Sequence, residues 1–160
     1  MKVRIKKLND FATIPAYATD GSAGMDITAI SKTYDDDGNI VYGTGLAFEI
    51  PEGYVGLLFP RSSNAKKDLI LSNSVGVIDS DYRGEVSFKF KPSYCFNKDD
   101  MDVVYDVGDR VGQMIIVPYP HIEWEEVKEL LETKRIKRKS NQLTIADISG
   151  WNSNLRSLYI

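Results

Sequence analysis

Apolar residues along this chain of 160 residues come in short runs, and clusters of Gly, Pro, Asn, Asp and Ser interrupt them. Short apolar runs bounded by turn residues are typical of β-strands. We predict strands at residues 3–6, 25–29, 46–50, 54–59, 69–71, 85–91, 102–105 and 114–117. Short strands at such spacing suggest a sandwich or barrel. The sequence therefore predicts a mainly β fold.

The polar segments between these runs carry turn chemistry. Residues 35–39, 51–53 and 97–100 are rich in Asp, Gly, Asn and Pro, and each is predicted to join two strands. One helical turn is predicted at residues 62–68, where Ser62 or Ser63 would cap free amides and leave N–H groups for an anion.

Residues 123–132 allow two interpretations. They contain good helix formers, but Trp124, Val127 and Leu131 also fit an exchanged strand or a packed tail. Both interpretations stay open at this stage.

Length and cysteine content favour one self-sufficient domain. A chain of this size buries about two-thirds of its unfolded surface. The single cysteine, Cys95, excludes an intrachain disulfide, and no paired Cys or His suggests a structural metal. The N-terminus lacks the apolar run of a signal peptide, and no stretch has the roughly 18 apolar residues of a membrane span. We expect a cytoplasmic protein without a membrane partner.

Charge divides the chain into two parts. The net charge is −3, but residues 134–160 carry six basic and one acidic side chain, which leaves −8 on residues 1–133. We therefore predict a β domain at 1–133 and a basic tail at 134–160 that belongs to the same domain or packs on a neighbouring subunit. Because the body is acidic, no binding to nucleic acid is expected. A polyphosphate would need focused positive groups or a bound cation.

The segment at 76–84 reads Gly-Val-Ile-Asp-Ser-Asp-Tyr-Arg-Gly, an apolar strand that enters an acidic, aromatic turn. Its two glycines are expected to adopt backbone conformations closed to other residues. Val77 and Ile78 would anchor the segment while Asp79 and Tyr82 project toward a ligand. The alternative is an ordinary surface hairpin in which Asp79 caps the backbone.

Three further motifs accompany this segment. Ala-Gly-Met-Asp stands at 23–26, Pro-Arg-Ser-Ser at 60–63, and Gly-Asp-Arg-Val-Gly-Gln-Met at 108–114. With four segments in this order, residues 1–133 resemble the trimeric dUTPases, which hydrolyse dUTP to dUMP and pyrophosphate and so limit uracil incorporation into DNA. The resemblance implies a dUTPase-like β-barrel or jelly-roll fold and a homotrimer with shared active sites.

The resemblance also implies roles for the segment around Asp79. Asp79 occupies the position that activates water for attack on the α-phosphate, and a positioned carboxylate base contributes about 10²- to 10⁴-fold. The span 73–82 is implied to be a hairpin that binds uracil through backbone groups, with Tyr82 under the deoxyribose, where it excludes a 2′-hydroxyl. The implied uracil-binding residues are Asn73, Gly76, Val77 and Ile78.

The other motifs are implied to bind phosphate. Arg61, Ser62 and Ser63 match the phosphate-binding segment, and Arg suits phosphate because its planar fork makes charge-assisted contacts. Gln113 matches a position that holds the α-phosphate and the attacking water, and Asp26 is implied to support Arg61 or metal-bound waters. Asp109 and Arg110 are expected to form a structural ion pair. In the family, Mg²⁺ is held by triphosphate oxygens and waters, so no direct protein ligand is expected.

The family's fifth motif, a glycine-rich C-terminal arm, is absent where it is expected. Arg135 is the candidate for the terminal-phosphate contact. Ser149-Gly150-Trp151 offers a degenerate substitute in which Trp151 stacks on the base, although Trp151 and the apolar residues after it also fit packed structure.

Two other functions remain open from the sequence. A member that has lost its arm can persist as a nucleotide sensor or protein-binding module. A dCTP deaminase shares the fold, but it places a Glu on the strand after the hairpin, where this chain has Ser-Phe-Lys-Phe at 87–90. Lys89 cannot replace that carboxylate.

Overall fold

The computed structural model describes residues 1–93 and 104–131. The chain divides into two compact units, Met1–Ile122 and Glu123–Ile160. In the second unit the described residues, 123–131, form neither helix nor strand, and Trp124, Leu130 and Leu131 are exposed. Cys95, the predicted turn at 97–100, Arg135, Trp151 and the basic tail lie outside the described residues.

The first unit consists of short strands and one short 3₁₀ helix, Ser62–Lys66. The strands described are β1 (Arg4–Lys7), β2 (Ala16–Tyr17), β3 (Met25–Thr28), β4 (Ser31–Tyr34), β5 (Ile40–Gly43), β6 (Leu46–Glu49), β7 (Tyr54–Phe59), β8 (Leu69–Leu71), β9 (Gly76–Ile78), β10 (Ser87–Pro92) and β11 (Arg110–Pro118).

All strand pairs are antiparallel, and the described strands form three sheets. The largest has the order β2-β3-β11-β7-β9, the second β4-β5-β10-β8, and the third pairs β1 with β6. Neighbours in these sheets are mostly distant in sequence. This gives the mainly β fold that the sequence predicts.

One apolar core is shared by all three sheets. The pattern of β10 shows how the sequence builds it: Phe88 and Phe90 are buried, whereas Ser87 and Lys89, which alternate with them, point outward, as the period of two in a strand requires. Within the second sheet, the Tyr42 ring of β5 packs edge-on against Phe90 of the neighbouring strand β10. Core residues from the three sheets include Ile27, Leu58, Val111 and Met114, then Ile40, Leu69 and Leu71, and finally Leu46 and Phe48.

Several predicted elements are confirmed. Strands at 54–59 and 69–71 have the predicted bounds, and the turns at 35–39 and 51–53 join β4 to β5 and β6 to β7. In the first turn the Asp35 carboxylate accepts hydrogen bonds from the backbone N–H groups of Asp37 and Asn39. In the second, Gly53 has φ +79°, a conformation that favours glycine.

Other predictions differ from the structure. The strands β2, β4 and β5 were not predicted; β2 and β4 are mostly exposed and their sequences contain no apolar run. The strand predicted at 102–105 falls partly outside the described residues, and its described part, Val104 and Tyr105, is not in a strand. Residues 123–131 are exposed and not helical, so the helix-forming residues of this segment do not produce a helix in the structure. Within the described ranges, no helix is long and apolar enough to cross a membrane.

Candidate active site

Asp26 lies at the centre of a polar cluster at one end of the largest sheet. Its carboxylate accepts hydrogen bonds from Nε and Nη2 of Arg61 at 2.7 and 3.2 Å and from Nη1 of Arg110 at 3.0 Å. Arg61 also donates from Nη1 to Ser63 Oγ at 3.3 Å. The Arg61 guanidinium therefore pairs bidentately with this carboxylate, which fixes its plane, whereas Arg110 makes a single contact.

Gln113 joins this cluster through strand pairing. In β11 it lies opposite Asp26 of β3 on one side and opposite Phe59 of β7 on the other. Its side chain donates to the carbonyl oxygen of Pro60 at 3.0 Å and packs against Gly24, where a Cβ would collide with it. We call Asp26, Arg61, Ser63, Arg110 and Gln113 the arginine cluster.

The arginine cluster confirms one expectation and corrects two. Asp26 does support Arg61. Arg110, however, pairs with Asp26 and not with Asp109, whose carboxylate instead accepts the backbone N–H of Asp106 at 2.8 Å. The 3₁₀ helix carries no side-chain cap, since its N-cap residue is Arg61, so the predicted capping role of Ser62 or Ser63 is wrong.

Residues 76–84 do not form a surface hairpin with the strand that follows. β9 pairs with β7 in the largest sheet, whereas β10 pairs with β5 and β8 in the second sheet. The turn between them therefore connects two sheets. The hairpin interpretation of this segment is wrong, because tertiary pairing separates strands that are adjacent in sequence.

The two glycines of this segment are required for space and not for unusual dihedral angles. Neither Gly76 nor Gly84 has a φ in the left-handed region. A Cβ at Gly76 would lie 2.9 Å from Leu58 Cβ, and one at Gly84 would lie 2.5 Å from the Tyr82 hydroxyl. Close packing, and not the predicted backbone conformation, thus explains why glycine is needed at these two positions.

Only one of the two apolar residues anchors the segment. Ile78 packs against the core, as predicted. Val77 is 60% exposed, so its predicted anchoring role is wrong. The period of two in a strand explains the difference, since neighbouring side chains point to opposite faces.

Asp79 follows β9 directly, and its carboxylate is free. The side chain is exposed and has no hydrogen-bond or ion-pair partner among residues 1–93 and 104–131, although its backbone oxygen accepts the N–H of Tyr82 at 3.2 Å. Asp79 therefore caps no backbone group in the described part of the chain. A carboxylate without internal partners is available to a water or a ligand.

Tyr82 stands beside Asp79 and is 43% exposed. Its hydroxyl donates to the backbone oxygen of Glu85 at 3.0 Å, and its ring covers Gly84. A small pocket of about 160 Å³ is formed here by Val77, Ile78, Asp79, Tyr82, Glu85, Val86 and Ser87.

A second pocket, of about 320 Å³, lies between β9 and β10. Asn73 lines it, together with Leu58, Leu71, Ser72, Gly76, Ser87, Phe88 and Lys89. β9 is the last strand of its sheet in the described structure, so its outer edge has unpaired backbone N–H and C=O groups. Such an edge offers fixed donors and acceptors to a planar polar ligand.

An open cleft of about 1030 Å³ lies beside Asp79. Groups of both charges line it, among them Arg4, Glu49, Arg83 and His121. Asp79 thus faces a space much larger than the two pockets.

The arginine cluster and Asp79 lie at opposite ends of the same strand pair. In the antiparallel register Ile78 is opposite Gly56, so Asp79 leaves the sheet near the start of β7, whereas Arg61 follows its end. Arg61 stands five residues after Gly56 in extended chain, a distance of roughly 16 Å at 3.3 Å per residue. One chain therefore does not bring Asp79 and Arg61 to the same ligand atom.

Two electrostatic features surround the site. The Lys89 ammonium lies 2.8 Å from Asp35 and, together with Asn39, holds the pKa of that carboxyl far below its usual range; in return Asp35 raises the pKa of Lys89. Next to the arginine cluster, burial raises the pKa of Tyr105, with partial compensation by Ser63 and Arg61. Lys89 is thus held by the turn at 35–39.

No group of three or more His, Cys, Asp or Glu side chains suited to a metal occurs in the described ranges. Arg110 and Glu85 are not among the predicted site residues, and Ser72, Ser87 and Lys89 are not among the predicted pocket residues. The alternation of β10 gave a signal for the last two, because both point outward.

The geometry defines a class of protein: a mainly β fold that presents a free carboxylate beside narrow polar pockets and an arginine cluster that would match an anionic ligand. The dUTPase family profile matches residues 10–142. The chain belongs to the dUTPase family.

Relatives with the name deoxyuridine 5′-triphosphate nucleotidohydrolase agree. The protein from Hydrogenobaculum sp. (strain Y04AAS1) is 39% identical over 141 residues, which cover 84% of this chain and 92% of that protein. The protein from Rickettsia bellii (strain OSU 85-389) is 40% identical over 139 residues, covering 84% and 89%.

Solved structures of phage dUTPases have a similar fold. The dUTPase of Staphylococcus bacteriophage 80alpha, solved with dUPNHPP, gives a TM-score of 0.72 at 26% identity and covers 87% of this chain and 95% of its own. A mutant dUTPase from phage phi11 of S. aureus, described with a structural Mg(II) ion, gives a TM-score of 0.67 at 27% identity. The match covers 81% of this chain and 98% of that chain.

Proposed function

We propose that this protein hydrolyses dUTP to dUMP and pyrophosphate. The observation that carries the proposal is the Asp79 carboxylate, which has no partner in the described part of the chain and lines the pocket of about 160 Å³ next to the open edge of β9. Membership of the dUTPase family and the names of the relatives support the same substrate.

In the proposed reaction Asp79 accepts a proton from a water molecule. That water attacks the α-phosphorus, its oxygen forms the new P–O bond, and the bond to the bridging oxygen of pyrophosphate breaks. Asp79 suits this role because no internal donor occupies its carboxylate in the described structure.

The pockets beside β9 would bind the nucleoside. The open edge of β9 and Asn73 would bind the edge of uracil, and a cytosine would leave fixed donors and acceptors unpaired. The Tyr82 ring would pack against the deoxyribose and leave no room for a 2′-hydroxyl. The residues proposed for the base are Asn73, Gly76, Val77 and Ile78.

The arginine cluster would bind the phosphates. Within the described part of the chain, Arg61 retains unused N–H groups after its bonds to Asp26 and Ser63. Ser62 is exposed next to it, and Gln113 donates to the carbonyl oxygen of Pro60. Arg135 and Trp151, which lie outside the described residues, remain proposals for the terminal phosphate and for stacking on the base.

The donor set fits Mg²⁺ held mainly by the substrate. Both oxygens of Asp26 already accept N–H groups, and Asp79 offers one free carboxylate. Mg²⁺ keeps several waters and takes one or two carboxylates together with phosphate oxygens. When bound, it would offset the negative charge on the triphosphate.

In this proposal the two halves of the site come from different copies of the chain. Asp79 and Arg61 lie at opposite ends of β7 and β9, much farther apart than the roughly 3 Å of a catalytic contact. A homotrimer that juxtaposes these ends across its interfaces would supply both halves to one substrate. The cytoplasmic location expected from the sequence stays a prediction.

A steady-state assay with Mg²⁺ and dUTP, dCTP, dTTP or UTP tests the function. We expect turnover of dUTP with release of pyrophosphate and strong preference over the other three. Asp79→Asn should lower kcat by at least ~100-fold while dUTP still binds, because the amide keeps the shape but cannot accept the proton.

The same assay separates the alternatives. Binding of dUTP without turnover by the wild type would indicate a nucleotide sensor. Ammonia release from dCTP would indicate a deaminase, which the Asp35–Lys89 ion pair on β10 disfavours because a cation stands where that chemistry needs a carboxylate. Near-normal turnover by the Asp79→Asn protein would remove Asp79 from the mechanism.

A further inference from the structure

The position of the Tyr82 phenol depends on the backbone at Glu85. The hydroxyl donates to the main-chain oxygen of Glu85 at 3.0 Å, which closes a loop of four residues over Gly84. The missing side chain of Gly84 leaves the space that the ring fills. Any shift of the Glu85 backbone would therefore move the Tyr82 hydroxyl.

The Glu85 side chain ties this backbone to a different element. Its Oε1 accepts the backbone N–H of Gly45 at 2.7 Å, in the turn between β5 and β6. A Cβ at Gly43 would lie 2.9 Å from the same oxygen, so that turn has space for the carboxylate only because Gly43 has no side chain. Hydrogen bonds to an ionised acceptor are roughly twice as strong as neutral ones.

The next residue is fixed to the same turn independently. Val86 donates its N–H to the Leu46 oxygen at 2.9 Å, and its own carbonyl oxygen accepts Thr44 Oγ1 at 2.6 Å. Thr44 and Val86 are buried. The junction thus has two separate anchors, one through the Glu85 carboxylate and one through the Val86 backbone.

We propose that Glu85 is a positioning residue that holds Tyr82 in place and thereby sets the preference for 2′-deoxyribonucleotides. The proposal rests on the proposed function, in which Tyr82 packs against the sugar. Glu85 and Tyr82 line the same pocket of about 160 Å³ beside Asp79, so a displaced Glu85 backbone changes the wall that faces the sugar. Glu85 acts through Tyr82 and has no part in the proton transfer.

The test compares Glu85→Ala with Glu85→Gln. Alanine removes the acceptor for the Gly45 N–H, whereas glutamine keeps an acceptor oxygen at the same place. We expect Glu85→Ala to reduce the ratio of kcat/KM for dUTP over UTP by about 10-fold, chiefly through KM, since a small misplacement of a positioning group is costly. Glu85→Gln should restore most of the ratio.

Thr44→Val is the matched control. It removes the bond to the Val86 oxygen and weakens the same junction, but it leaves the Glu85 carboxylate and Tyr82 in place. We expect Thr44→Val to have lower thermal stability but an unchanged ratio of kcat/KM for dUTP over UTP. A ratio that stays at the wild-type value in Glu85→Ala, or falls equally in Thr44→Val, would overturn the proposal.

A second readout does not depend on turnover. The ring resonances of labelled Tyr82 should shift in Glu85→Ala and stay close to the wild-type positions in Glu85→Gln, with no nucleotide added. If the resonances shift but the wild type does not hydrolyse dUTP, the proposed function fails and the positioning role stands. If the resonances do not shift, the positioning role is wrong whatever the activity.

Discussion

Asp26 accepts hydrogen bonds from two arginines that differ in their exposure. The Arg61 side chain is 23% exposed and contacts both carboxylate oxygens, whereas the Arg110 side chain is 56% exposed and contacts one. Asp26 itself is 17% exposed. The two ion pairs share one carboxylate but should contribute very different amounts to stability.

We therefore expect Arg61→Gln to lower the free energy of unfolding by about 1.5–3 kcal/mol, the range for hydrogen bonds to charged groups. Arg110→Gln should cost only about 0.2–1 kcal/mol, because water and salt screen an exposed pair. Urea unfolding of both variants measures the difference. Equal losses would show that exposure does not distinguish the two pairs.

Glycine at position 112 illustrates a requirement for space at the level of one residue. Gly112 is buried in β11, and a Cβ there would collide with the ring of Phe88 in the opposite sheet. Gly21, by contrast, lies in an open loop with nothing near its missing side chain and has no positive φ.

Gly112→Ala should destabilise the fold by about 1–3 kcal/mol, since overpacking forces the aromatic core to shift. Gly21→Ala is the matched control and should be neutral or stabilising by about 0.4–1 kcal/mol through the unfolded chain. Thermal unfolding compares the two. A Gly112→Ala protein as stable as Gly21→Ala would mean that Phe88 moves at little cost.

At the scale of elements, the second sheet is joined to the segment before β11 by a buried phenol. Tyr42 of β5 donates from its hydroxyl to the Tyr105 backbone oxygen at 2.9 Å, and the two rings pack edge-on. Burial raises the pKa of Tyr42. The neutral phenol is therefore part of the folded structure.

This predicts alkaline sensitivity with a defined sign. The folded pKa of Tyr42 lies above the unfolded value of about 10, so its contribution is present below that pH and is lost as the pH rises above it. Tyr42→Phe should cost about 1–3 kcal/mol near neutral pH by removing the hydrogen bond. The free energy of unfolding, measured with urea between about pH 8 and 11, should fall less steeply with pH in Tyr42→Phe than in the wild type. If the free energy of unfolding falls equally steeply with pH in both proteins, the alkaline sensitivity belongs to Tyr105, whose pKa is also raised by burial.

At the scale of the whole molecule, the division of the site predicts complementation between subunits. If one site takes Asp79 from one copy and Arg61 from another, Asp79→Asn and Arg61→Gln each inactivate every site of their own homotrimer. In a trimer mixed at random from equal amounts, about one quarter of the sites receive both native residues.

We expect each variant alone to be nearly inactive, and unfolding and refolding them together to restore up to about a quarter of wild-type activity. The control refolds each variant with Asp79→Asn/Arg61→Gln, which supplies no complementary subunit. Absence of recovery in mixed trimers, or full activity of a wild-type monomer in solution, would place both residues in one chain's site.

The sequence alone determined part of the fold and the family of this protein. The apolar runs at 54–59 and 69–71 predict strands, because burial in a sheet requires that pattern. Asp35 with Gly38, and Pro51 with Gly53, predict turns through local backbone chemistry. The four motifs also identified the family. These signals are local, so they are readable without knowledge of what packs against them.

The tertiary structure decided the rest. β9 and β10 are adjacent in sequence but pair in different sheets, which opens the pockets between them and turns a predicted hairpin into a link between sheets. Arg110 bonds to Asp26, which is 84 residues away, instead of its neighbour Asp109. Gly76 is needed for close packing against Leu58 of the neighbouring strand, a contact that no local pattern encodes. Which strands pair in a β fold depends on contacts between residues that are distant in sequence, so it is decided by packing of the whole core and not by any local segment.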